Sequence, residues 1–202
     1  MKNKYDTVYQ FKIELDNIKP VIWRRIQVPE PYSFWDLHVA IQDSMGWTDS
    51  HLHQFTIKKP RSAKKYQMGI PSANDEEHDI KILASWEEYI AEWFTFKNLT
   101  AEYLYDFGDG WNHQITFEAM FPRNQGVKYP VCLAGERACP PEDVGGYPGY
   151  ENFIEIMKQA KGEEYREMLE WYGRKYKPEQ FIPGEVKFTN SEKRLFNLLK
   201  DQ

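Results

Sequence analysis

Strict alternation of apolar and polar residues opens this chain and most narrows what it can become. Tyr9, Phe11, Ile13 and Leu15 alternate with Gln10, Lys12, Glu14 and Asp16. In an extended strand that period places all the apolar side chains on one face, so the segment predicts a strand half-buried against a core. Residues 17–20 turn the chain, and Val21–Val28 predict a second strand antiparallel to the first, stopped by Pro29 and Pro31. Ser33 then stands in an N-cap position with Asp36 three residues on, a capping-box arrangement. Phe34, Leu37, His38, Ile41 and Met45 form one helical stripe, which predicts a helix over 34–45 ended by Gly46. His51–Ile57 predicts a third strand. The order strand, strand, helix, strand reads as a β-grasp-like ββαβ first part.

Beyond residue 58 the pattern is looser. YQMGI (66–70) predicts a short edge strand, and Ser85 begins a predicted helix through Trp86, Tyr89, Ile90 and Trp93. Residues 120–150 read as loop. Three helical patterns close the chain at 150–160, 163–171 and 191–200. The expected fold class is α+β: the β-grasp-like unit, then a helix, a β-hairpin and C-terminal helices packed on a mixed, mainly antiparallel sheet. The chain is expected to form a single domain over 1–202, with residues 188–202 its C-terminal helix.

Charge and composition exclude some function classes. With 26 basic against 31 acidic residues and a net charge of −5, a phosphate-binding surface over the whole protein is disfavoured. No apolar run approaches the ~18 residues that span a bilayer, and the opening strand pattern carries no secretion leader, so a cytoplasmic protein with no membrane partner is expected. Lys58, Lys59, Arg61, Lys64 and Lys65 precede an acidic run at Asp75, Glu76, Glu77 and Asp79, which reads as a solvated loop or as a nucleic-acid contact. Cys132 and Cys139 lack CxxC spacing.

The segment YLYDFGDGWNHQITFE (103–118) is the predicted hairpin. A three-residue Gly108-Asp109-Gly110 loop pairs Phe107 with Trp111, Tyr105 with His113 and Tyr103 with Ile115, keeping one face apolar. This register sends His113 inward and Asp106 to the opposite face, beside Asn112. Asp109 in the turn remains able to reach either face.

The chemistry-bearing candidates follow from these placements. His51-x-His53 projects two rings from one strand face, and His38 on the helix or His113 could add a third metal ligand. Cys139-Pro-Pro-Glu-Asp-Val-Gly-Gly146 is a stiff loop offering Glu142 and Asp143, which join Asp109 as candidate catalytic groups. Arg24 shares parity with Ile22 and Ile26, so a buried carboxylate partner such as Glu142 or Asp143 is expected for it. Trp23, Arg25, Trp47 and Trp111 make a candidate recognition surface.

Several stretches together carry a resemblance. Lys19-Pro-Val-Ile-Trp-Arg-Arg25, Phe34-Trp-Asp-Leu-His38, Ile41-Gln42, Gly46-Trp47 and His51-Leu-His-Gln-Phe55 come in order. Tyr103-Leu-Tyr-Asp-Phe-Gly-Asp-Gly-Trp111, His113, the 139–146 loop and Gly149-Tyr150 follow. This set resembles the plasmid pRiA4b open-reading-frame-three-like family over residues 5–187. The resemblance implies an α+β fold and, through relatives on plasmids and insertion elements, a link to mobile genetic elements. The chain departs from the family's pattern at Tyr176-Lys-Pro-Glu-Gln-Phe181, and residues 58–79 and 86–97 look longer than usual. No serine-recombinase nucleophile context or helix-turn-helix accompanies these motifs, so a resolvase activity is not expected.

The residues favour a non-enzymatic binding or accessory protein that recognises its partner through the aromatic sheet and the Pro-Pro-Glu-Asp loop. One alternative is a metal-dependent hydrolase or nuclease-like enzyme, with a divalent metal such as zinc on the histidines. The other is a nucleic-acid accessory protein acting through Lys58–Lys65. The partner, protein or nucleic acid, and the oligomeric state are left open.

Overall fold

The computed structural model describes residues 5–72 and 81–200; the acidic run at 75–79 lies outside them. The elements are β1 (Thr7–Leu15), β2 (Ile22–Pro29), α1 (Phe34–Met45), β3 (His53–Lys58), β4 (Lys65–Gly69), β5 (Ile82–Ala84), α2 (Ile90–Trp93), β6 (Thr100–Tyr105), β7 (Trp111–Pro122), β8 (Val131–Glu136), α3 (Gly146–Gln159), α4 (Glu163–Tyr172) and α5 (Ser191–Lys200). A 3-10 turn at Pro183–Glu185 precedes α5. One eight-stranded sheet runs in the order β5-β4-β3-β6-β7-β1-β2-β8. All pairs are antiparallel except β4 with β5. The class is α+β on a mixed sheet, as expected. The strand-strand-helix-strand order holds along the chain, but in the sheet β6 and β7 stand between β1 and β3.

The alternation in β1 does what its period requires. Tyr9, Phe11, Ile13 and Leu15 are buried with Ile22, Ile26 and Val28 of β2 in one core that α1 covers. The capping box closes α1: Ser33 Oγ accepts from Asp36 N at 3.2 Å, and Ser33 N donates to Asp36 Oδ2 at 2.9 Å. Gly46 ends the helix at φ 98. The segment expected to start a helix at Ser85 instead forms a turn against this N-terminus, and only Ile90–Trp93 is helical. Phe34 N donates to Glu88 O at 2.9 Å and Trp35 N to Ser85 O at 2.8 Å, so the neighbouring backbone satisfies two of the donors a helix start leaves free. YQMGI forms β4 but not an edge, because β5 adds outside it. Within the stretch read as loop, Val131–Glu136 pairs with β2 as the edge strand β8.

The far side of α1 is also covered. Trp35 Nε1 donates to Ser191 O at 3.0 Å, and Arg194 at the start of α5 reaches Asp43 at 2.6 Å and Asp49 at 3.3 Å. Packed on both sides, α1 buries His38, Gln42 and Ser44 as well as its apolar stripe. No helix among the described residues is long and apolar enough to cross a membrane.

Candidate functional site

The hairpin keeps the expected face but not the expected register. Tyr105 pairs with Trp111, Tyr103 with His113 and Ala101 with Ile115, so the loop is five residues long, 106–110. A two-residue shift preserves parity, which is why apolar patterning alone could not separate the two registers. Asp106 decides between them. It adopts a left-handed φ of 55, its N donates to Leu52 O at 3.0 Å, and its Oδ1 accepts from Gly108 N at 2.9 Å and Asp109 N at 3.3 Å. Gly110 N closes the turn on Asp106 O at 2.7 Å. Phe107, expected on the apolar face, is 53% exposed in this loop.

The four candidate metal-ligating histidines do not converge on one point. His53 lies on β3 above Phe55 and stacks on His38 with ring centroids 3.6 Å apart. His38 is held between Tyr103 OH at 2.8 Å and Asp49 Oδ1 at 2.7 Å. His113 Nδ1 donates to the backbone carbonyls of Trp111 at 3.0 Å and Tyr103 at 3.3 Å. All three are buried. Burial pushes the His53 pKa well down, aided by neighbouring His38, and pushes His113 down to about 4. Only His51 leaves this interior, because β3 starts at His53 and His51 belongs to the preceding loop. The same-face expectation for His51 and His53 therefore fails.

His51 meets two carboxylates instead. Its Nε2 is 3.0 Å from Asp143 Oδ1 and 3.6 Å from Asp106 Oδ2. Ligand atoms of His51, Asp106 and Asp143 all lie within 4.8 Å of one another, and among the described residues no other group of three His, Cys, Asp or Glu is so close. Asp106, set on the wrong face by strand parity, is the residue sequence reasoning missed. A left-handed turn residue does not obey the alternation of the strand it leaves.

The 139–146 loop is clamped against this centre. Glu142 Oε1 accepts from Thr48 N at 2.7 Å, Thr48 Oγ1 at 3.1 Å and Tyr105 OH at 3.0 Å. Trp47 Nε1 donates to Pro140 O at 3.0 Å, and Tyr176 OH donates to Cys139 O at 3.0 Å. Gly145 N donates to Asp109 Oδ2 at 3.2 Å. Of the candidate catalytic acids, Glu142 and Asp109 are thus occupied in holding loops, and Asp143 alone is exposed.

Two further expectations are corrected. Arg24 is fully buried, but its partners are carbonyls: Ser44 O and Trp23 O at 2.8 Å and Glu136 O at 2.9 Å. Its guanidinium stacks on Phe181 at 3.6 Å. The recognition surface does not form, since Trp47 and Trp111 are 4% and 0% exposed and Arg25 is locked to Glu118 by two bonds of 2.7 and 2.8 Å. Both cysteines are free thiols, and burial pushes Cys139 up, away from a reactive thiolate.

Asp143 also lines the end of a groove of about 410 Å³ between α3 and α4, with Asn152, Glu164, Glu167, Met168 and Trp171 along its walls. Trp171 is 50% exposed there.

An α+β protein with a carboxylate–histidine loop centre at one end of an eight-stranded sheet is the class these features define. The chain belongs to the plasmid pRiA4b ORF-3-like family, whose model matches residues 7–185. It is 36% identical over 175 residues to the uncharacterized protein y4hQ of Sinorhizobium fredii, covering 83% of this chain and 81% of that protein. It is also similar to the crystal structure of MM3350, a protein of unknown function from Methanosarcina mazei Go1. That match has a TM-score of 0.82 and 40% identity, over 92% of this chain and all of the other.

Proposed function

We propose that this protein is a non-enzymatic binding protein that takes a cationic ligand into the groove between α3 and α4. The observation that carries the reading is the lining of that groove: Asp143, Glu164 and Glu167 with Met168 and the exposed Trp171, and among the described residues no lysine or arginine. Among the described residues neither Glu164 nor Glu167 is in an ion pair. Carboxylates over an apolar floor concentrate cations, and an accessible indole adds a cation–π face. The groove's volume falls within the range of small-ligand sites. Glu163 and Glu164 stabilise the start of α4 in any case, but Glu167 lies beyond that first turn.

The alternatives draw less support. Hydrolysis needs a free base beside a metal, and Asp109 and Glu142 are engaged in backbone and hydroxyl bonds. Nucleic-acid binding through Lys58–Lys65 competes with contacts already made: Lys65 pairs with Glu102 at 2.8 Å, and Lys59 and Lys64 lie over Tyr66.

Titration calorimetry with spermidine, a trilysine peptide, an acidic peptide and duplex DNA tests the reading. The two cations are expected to bind, weaken as salt rises, and lose about tenfold in the Glu164→Gln/Glu167→Gln double variant. Binding of DNA but of neither cation would overturn it.

A further inference from the structure

We propose that His51, Asp106 and Asp143 form a binding site for a divalent first-row transition ion, with zinc the first to test. The site shares Asp143 with the groove, but Glu164 and Glu167 take no part in it.

Three features of the cluster carry this. First, the spacing fits coordination. Donors about 2.1 Å from one tetrahedral ion stand about 3.4 Å apart, and the two separations from His51 Nε2 are 3.0 and 3.6 Å. Second, Asp106 is preset. Its side chain is 10% exposed, and Oδ1 is consumed by the two turn amides. Among the described residues Oδ2 has no hydrogen-bond donor, and it lies 3.6 Å from His51 Nε2, so Asp106 offers one fixed oxygen. Third, His51 Nε2 is enclosed, yet neither carboxylate meets it with hydrogen-bond geometry.

The competing explanation is a protonated His51 paired with both acids. Both acids lie within 3.6 Å of Nε2, yet neither contact is a hydrogen bond. A divalent ion between the carboxylates would take the Nε2 lone pair that no hydrogen bond occupies. It also offsets the repulsion of two carboxylates brought within 4.8 Å, one of them largely buried. One nitrogen and two oxygens suit zinc, manganese or cobalt over calcium or magnesium, which prefer all-oxygen shells. Three protein ligands leave at least one coordination position for water or another donor, and Asp143, 68% exposed, lies on the open side.

The test uses the full chain stripped with chelator, then titrated with Zn²⁺ by calorimetry and with Co²⁺ by visible absorption. One equivalent is expected to bind, with d–d bands of a low-coordinate nitrogen–oxygen site. His51→Ala and Asp143→Asn are expected to weaken binding by at least about tenfold. Asp106→Asn, which keeps the left-handed turn and its amide acceptor, is expected to fold as the parent by circular dichroism yet bind about tenfold more weakly. The Glu164→Gln/Glu167→Gln variant is expected to bind zinc unchanged, so the two proposals fail separately. Absence of saturable binding, or equal affinity in His51→Ala and the parent, would overturn the assignment.

Discussion

Gly146 lies directly against Asp109: a Cβ on Gly146 would stand 2.6 Å from the Asp109 carbonyl oxygen. This contact is where the 139–146 loop seats on the hairpin turn, and it holds Asp143 beside Asp106. Gly146 also has a φ of +66, which non-glycine residues adopt only with strain. Backbone meets backbone here, so no side chain can move aside to make room.

Gly146→Ala is therefore expected to destabilise the fold by about 1–3 kcal/mol and to weaken zinc binding together with it. Urea unfolding and the zinc titration read the two effects. Unchanged stability would mean the loops do not seat as described.

Acid sensitivity follows from the interior histidines. Burial lowers both His113, to about 4, and His53 below the ordinary value of 6.5. The unfolded chain takes up protons on these residues near pH 6.5, while the folded chain keeps them neutral. Their contribution is complete above that pH and is lost as the pH falls toward 4, because the unfolded state then binds more protons. For His113 alone the loss is on the order of 3 kcal/mol. Urea midpoints between pH 7 and 5 are expected to fall, and His113→Asn to fall less steeply. Parallel pH profiles for parent and variant would remove His113 as the source.

Arg24 ties β2, β8 and the end of α1 together through three carbonyls. A lysine cannot reach all three from one ammonium, and it gives up the planar stack on Phe181. Arg24→Lys is expected to cost about 2–4 kcal/mol, since buried carbonyls are left without donors. Chemical denaturation checks this, and a loss under about 1 kcal/mol would show the network to be dispensable.

Much of the fold was legible because period and capping act locally. β1, β2 and α1 with its Ser33–Asp36 box stand where alternation and N-cap chemistry put them, and α3, α4 and α5 match their helical patterns within a few residues. The failures have a common cause. Val131–Glu136 lies between proline-rich segments, yet it becomes a strand because the free edge of β2 supplies its hydrogen bonds. The Ser85 segment gives up a helix because its carbonyls are taken by the N-terminus of α1.

The sequence by itself determined which face of each strand and helix is apolar, and that His38, His53 and His113 are inward residues, because side-chain direction in a regular element follows from its period. It also marked the 139–146 loop as stiff and acidic and put Asp109 in the hairpin turn. Tertiary structure alone decided that these loops meet, that Asp106 turns toward His51, and that Arg24 finds carbonyls instead of a carboxylate. Those outcomes depend on left-handed turn residues and on contacts between segments far apart in the chain, such as Asp109 with Gly146. No local pattern encodes which of two distant loops will stop at a 2.6 Å approach; packing of the assembled sheet does.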